Sequence, residues 1–92
     1  MKMFYVGNLV NSVEVSFKNK ETGNVNISKK LQFLEKNDKG IAELIDIKLD
    51  EKEDISKFTT SLGKEITINI SVKLINGKLY YSHIPESKIS IK

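Results

Sequence analysis

Ile66-Thr67-Ile68-Asn69-Ile70-Ser71-Val72-Lys73-Leu74-Ile75-Asn76-Gly77-Lys78-Leu79-Tyr80-Tyr81 is the stretch that decides the fold. Ile66, Ile68, Ile70, Val72 and Leu74 alternate with Thr67, Asn69, Ser71 and Lys73. Side chains of a strand switch faces at every residue, so this pattern buries one face and wets the other. Asn76-Gly77 tolerates the positive φ angles of a type I′ turn, and Leu79, Tyr80 and Tyr81 begin the return strand. A two-residue loop sets the register: Ile75 faces Lys78, Leu74 faces Leu79, Lys73 faces Tyr80 and Val72 faces Tyr81. Tyr81 therefore joins the apolar face, and Tyr80 joins the polar face with Lys73 and Lys78.

The same alternation extends outward. A first strand runs from about Met3 to Lys18, with Val13, Val15 and Phe17 set against Glu14, Ser16 and Lys18. Gly7-Asn8 interrupts it as a bulge or a bend. A polar turn follows over Asn19 to Asn24, with Gly23 available for positive φ. In the second strand Val25, Ile27, Leu31 and Phe33 share one face, with Lys29 intruding on it. A turn at 35–40 leads to a third strand, Ile41 to Leu49, in which Ile45, Ile47 and Leu49 alternate with Leu44, Asp46 and Lys48. Asp54 can cap a short helix in which Ile55, Phe58 and Leu62 recur at helical spacing and which Gly63 ends. After the chain's only proline, Pro85, Ile89 and Ile91 supply a short closing strand.

Five main strands with a helix between the third and fourth describe an all-β, five-stranded OB-fold-like barrel, formed by residues 1–92 as a single domain. Closure also removes the exposed strand edges that invite aggregation. An open sandwich and an SH3-like barrel fit the same strand count.

The composition narrows the function. The 92 residues contain no Cys, which excludes disulfides and thiolate metal sites. There is one His, and no nucleophile–base pair, metal-ligand set or phosphate loop points to an enzyme or a cofactor. No apolar run approaches the roughly 18 residues of a membrane span, and the start is too polar for a signal peptide. A cytoplasmic protein is the expectation. All 15 basic residues are Lys, and the net charge is +3. Lys without Arg suits non-specific attraction to phosphates better than base readout by a planar guanidinium; an AT-rich genome yields the same bias. Net charge is +3 over residues 1–34, −3 over 35–57 and +3 over 58–92, so a polyanion is expected on the two flanking segments.

Ile47-Lys48-Leu49-Asp50-Glu51 ends a strand before an irregular connection, and a hairpin, Ile84-Pro85 and a lysine-bearing tail follow. With the early Lys20–Gly23 turn flanked by Lys18 and Lys29-Lys30, this order resembles the filamentous-phage gene V type of single-stranded-DNA-binding protein. The resemblance covers nearly the whole chain in length and strand order. It implies an OB barrel that dimerises through its late hairpin and coats single-stranded DNA during replication, in the host cytoplasm, without cofactor or catalysis. The chain departs from the family at several positions. Its wing arginines are absent, family aromatics fall at Ile27 or Ser28, Ile41 and Asn76, and a family lysine falls at Asp46.

Sequence-independent binding of single strands needs a basic groove and exposed aromatics on which bases stack. Lys18, Lys20, Lys29 and Lys30 form the best phosphate-contact group, joined by Lys73 and Lys78 beside Tyr80. Tyr80 is the preferred stacking residue and Tyr5 the second; Tyr80 on a dimer interface is the competing reading. Phe17, Phe33 and Phe58 read as core, and His83 as a partly buried, hydrogen-bonded side chain. The expected function is non-specific binding of single-stranded nucleic acid, DNA before RNA, by a homodimer of a phage or mobile element. A small β-barrel protein-interaction module, an adaptor or inhibitor, is the alternative.

Overall fold

In a computed structural model of the protein, which describes residues 2–92, the chain forms a closed β-barrel. Its strands are β1 (Lys2–Lys18), β2 (Val25–Lys36), β3 (Ala42–Leu49), β4 (Glu65–Ile75), β5 (Lys78–His83) and a short β6 (Ile89–Ile91), with one helical turn α1 (Ser56–Thr59) between β3 and β4. The sheet order is β1-β2-β3-β5-β4-β6, and β1 also pairs with β4 to close a five-stranded barrel. β6 pairs with the first part of β4, on the edge opposite β1, through Ile66–Ile91 and Ile68–Ile89. This is the OB-fold-like arrangement expected from the strand pattern.

The β4–β5 hairpin has the register that its alternation and loop length dictate, from Val72–Tyr81 to Ile75–Lys78. Asn76 (φ 52°) and Gly77 (φ 79°) are both left-handed, as a type I′ turn requires. Ile66, Ile68 and Ile70 are fully buried and meet Leu9, Leu31, Phe33, Ile47, Leu49 and Phe58 in one core.

β1 serves two neighbours. Lys2–Asn8 pairs with β4 and Asn8–Lys18 pairs with β2, so one long strand coils across the barrel. Gly7 does not break it. Instead the Tyr5 ring lies over Gly7, where a Cβ would approach that ring to 2.7 Å. The bulge falls later, between Leu9 and Asn11, and it reverses the strand's phase. Leu9 faces the core opposite Phe33, but beyond the bulge it is Ser12 that faces Leu31. Val13, Val15 and Phe17 are thereby turned outward, and Phe17 is 53% exposed rather than core.

Lys29 corrects a second expectation. Its side chain is only 11% exposed, and its ammonium donates to the carbonyls of Glu51 (2.7 Å) and Glu53 (2.6 Å), with the Glu14 carboxylate 3.8 Å away. The lysine that interrupts an apolar face thus ties the connection after β3 down onto the barrel.

The helix is shorter than its apolar spacing suggests. Asp54 Oδ1 accepts from the Ser56 amide (2.9 Å) and hydroxyl (2.7 Å), and Phe58 enters the core, but Leu62 remains exposed. The helix ends at Thr59, and the poor helix formers Thr60 and Ser61 lie in turns. The Gly63 amide donates to the Leu9 carbonyl (2.7 Å) and the Leu9 amide to that of Lys64 (3.0 Å), docking the turn against β1.

Candidate nucleic-acid interface

One outer face of the barrel can be assembled from cross-strand pairs. Lys30 of β2 lies opposite Lys48 of β3, and Gln32 opposite Asp46. The parallel pairing of β3 with β5 is brief, Ile47–Tyr81 and Lys48–Ser82 only. Beyond it the two strands diverge and open a cleft of about 350 Å³. Ser28, Lys30, Leu44, Asp46, Lys48, Lys78 and Tyr80 are among its lining residues. A second cleft of about 290 Å³ adjoins it at Lys48 and is lined further by Asp50, Ser71, Lys73, Ser82 and His83.

The cleft has a positive balance with one carboxylate in its middle. Lys30 Nζ donates to Asp46 Oδ2 (3.3 Å), and Gln32 Nε2 donates to Asp46 Oδ1 (2.9 Å). The Gln32 hydrogen bond, then that of Lys30 and the charges of Lys30 and Lys78, lower the Asp46 pKa against an opposing desolvation. Tyr80 is 45% exposed, and the Lys78 ammonium lies 5.4 Å from its ring centroid, within cation–π range. Lys73 faces Tyr80 across the hairpin. An aromatic plane beside lysine ammonium groups offers both a stacking surface and phosphate partners.

The structure brings three of the expected residues, Lys30, Lys78 and Tyr80, to the first cleft and a fourth, Lys73, to the second. Lys18 and Lys20 are exposed at the far end of the β1–β2 hairpin. Lys18 pairs with Val25, on the hairpin face opposite to that of Lys30. Lys29 is held internally, as described above.

Tyr5 is partly buried with its ring packed against the core, which does not suit a stacking platform. Its ring meets Phe33 edge-on, with centroids 5.0 Å apart, and its hydroxyl is buried without a hydrogen-bond partner. Burial, reinforced by the nearby Glu35 carboxylate, pushes the Tyr5 phenol well above its ordinary range.

Lys48 and Asp46 were missed because segment charge placed them in the acidic middle of the chain. The signal that finds them is local: both sit on the polar phase of a strand whose other phase is Ile45, Ile47 and Leu49.

His83 is buried, with Nε2 3.1 Å from both the carbonyl and the hydroxyl of Ser87. The Ser87 hydroxyl itself donates to the Ile84 carbonyl, so Nε2–H is the donor. Among the described residues, no group of three or more His, Cys, Asp or Glu is placed to hold a metal, and no helix is long and apolar enough to cross a membrane. No protein-family model, curated protein or solved structure matches the chain.

Proposed function

We propose that the protein binds single-stranded nucleic acid along the outer face of β2, β3 and β5, without a strict sequence requirement. The observation that carries this reading is the cleft in which Lys30, Lys48 and Lys78 surround the half-exposed Tyr80. β2 and β3, which supply Lys30, Asp46 and Lys48 to it, correspond to the strands whose face binds oligonucleotides in OB folds. The resemblance to the gene V type extends the reading. DNA is preferred over RNA, the strand is coated during replication of a phage or mobile element in the host cytoplasm, and the active species is a homodimer. Exposed Leu74 and Leu79, which share the face of the β4–β5 hairpin opposite to Tyr80, support a dimer that covers that face and leaves Tyr80 open.

The test is fluorescence anisotropy with a labelled oligothymidine at low and moderate salt, with a matched duplex as control. Single-strand binding that weakens with salt is the expected result, since bound phosphates release their counterions. No binding at low salt overturns the reading. A protein-interaction module then takes its place. One observation favours that second reading: Ala42–Asp46 of β3 pairs with β2 and Lys78–Tyr80 of β5 pairs with β4, but the two segments do not pair with each other across the cleft, which suits an added peptide strand.

A further inference from the structure

A carboxylate in the middle of a lysine-lined cleft repels phosphate, so Asp46 needs another explanation. It does not serve the core, because it lies on the outer face of β3 with its side chain 51% exposed. Nor is it left to rotate freely. Asn11 Nδ2 donates to Gln32 Oε1 (2.9 Å), which turns the Gln32 amide so that its NH₂ donates to Asp46 Oδ1. Lys30 holds Oδ2 from the other side. A carboxylate has about four acceptor positions. One protein donor on each oxygen leaves each with free acceptor capacity, in a cleft that also holds Tyr80.

Resting on the single-strand reading above, we infer that Asp46 reads the edge of the base seated in the cleft and favours guanine. Guanine presents N1–H and the N2 amino group side by side, a donor pair that matches the two oxygens of a carboxylate. Adenine and cytosine offer one amino donor beside a ring-nitrogen lone pair. Thymine offers one N–H between two carbonyl oxygens, which the carboxylate repels. Phosphates are then left to Lys48 and Lys78, and base and backbone are sorted to different parts of the cleft. The protein remains a general single-strand binder with a bias at one position per site.

The test compares short labelled oligothymidines that carry one central deoxyguanosine, deoxyinosine, deoxyadenosine or deoxycytidine, or no replacement. The guanine strand is expected to bind about fivefold or more tighter than the all-thymine strand. Inosine, which lacks the N2 amino group, falls between them, and Asp46→Asn brings the guanine strand level with thymine. Equal affinity of the wild-type protein for all five strands overturns the Asp46 inference while leaving single-strand binding intact. A guanine preference that survives in Asp46→Asn also overturns it. Absence of binding to every strand overturns both readings. The wild-type guanine–inosine difference does not depend on how the variant folds.

Discussion

The β1–β2 and β4–β5 hairpins are built from the same alternation and end differently. In β4–β5 the phase established at Ile66 continues to Tyr81, so Tyr80 and Lys73 emerge on the polar face. In β1–β2 a single bulge between Leu9 and Asn11 reverses the phase. The apolar residues Val15 and Phe17 then face solvent, while Lys29 of the paired strand turns inward to the carbonyls of Glu51 and Glu53. Alternation therefore says which residues share a face, but the intervening backbone decides which face is buried.

The sharpest way to break this contrast is to truncate one aromatic in each hairpin. Tyr80→Ala is expected to weaken oligothymidine binding by about 1–3 kcal/mol, the usual contribution of one stacked base. Phe17→Ala is expected to leave affinity unchanged, because Phe17 lies far out on the β1–β2 hairpin, opposite Asn26. Anisotropy titrations of both variants decide between them. A loss confined to Phe17→Ala moves the interface to the β1–β2 hairpin.

The lysines divide in the same manner. Lys29→Met removes two charge-assisted hydrogen bonds to carbonyls and is expected to cost about 1.5–3 kcal/mol in urea unfolding. A Lys18→Ala, Lys20→Ala pair at the exposed hairpin end stays within about 0.5 kcal/mol of the parent. Unchanged stability for Lys29→Met, combined with a flatter salt dependence of binding, would return that lysine to the interface. In the cleft, Lys48→Ala with Lys78→Ala is expected to reduce the slope of log affinity against log salt by about 1.4, at roughly 0.7 per phosphate contact on a single strand. The Lys18, Lys20 pair serves as the control, and a larger change there would place the strand on the first hairpin.

How much was legible follows from how local each determinant is. The β4–β5 register needed only the Asn76-Gly77 loop and a count outward from it. The barrel class followed from five alternating segments and a short helical one. Val10 carries no mark as a bulge residue, whereas Gly7 does, because it lacks a side chain; its reason is the Tyr5 ring packed above it. Part of the two clefts was legible through Lys30, Tyr80, Lys78 and Lys73. The polar phase of β3 marks Lys48 and Asp46 as outward-facing, but their place beside Lys30 and Gln32 required the long-range pairing of β2 with β3. Lys29 stood out as an anomaly on its strand, but its partners lie more than twenty residues away.

Tyr5 gives the smallest effect and tests whether the interior end of β1 is as settled as the β4–β5 hairpin. Its hydroxyl is buried without a partner, so Tyr5→Phe removes an unsatisfied group while keeping the ring over Gly7 and against Phe33. Stability at neutral pH is expected to hold or to rise by up to about 1 kcal/mol. The folded-state pKa of Tyr5 is raised above that of the unfolded chain, because the buried phenolate is disfavoured. The neutral phenol's contribution is therefore complete below about pH 10, the ordinary tyrosine value, and is lost as the pH rises towards the folded-state pKa. Urea midpoints of the parent should fall more steeply above pH 10 than those of Tyr5→Phe. Parallel curves would mean that the hydroxyl ionises freely in the folded protein. Tyr5 would then be open to solvent, and its exclusion as a stacking residue would have to be reversed.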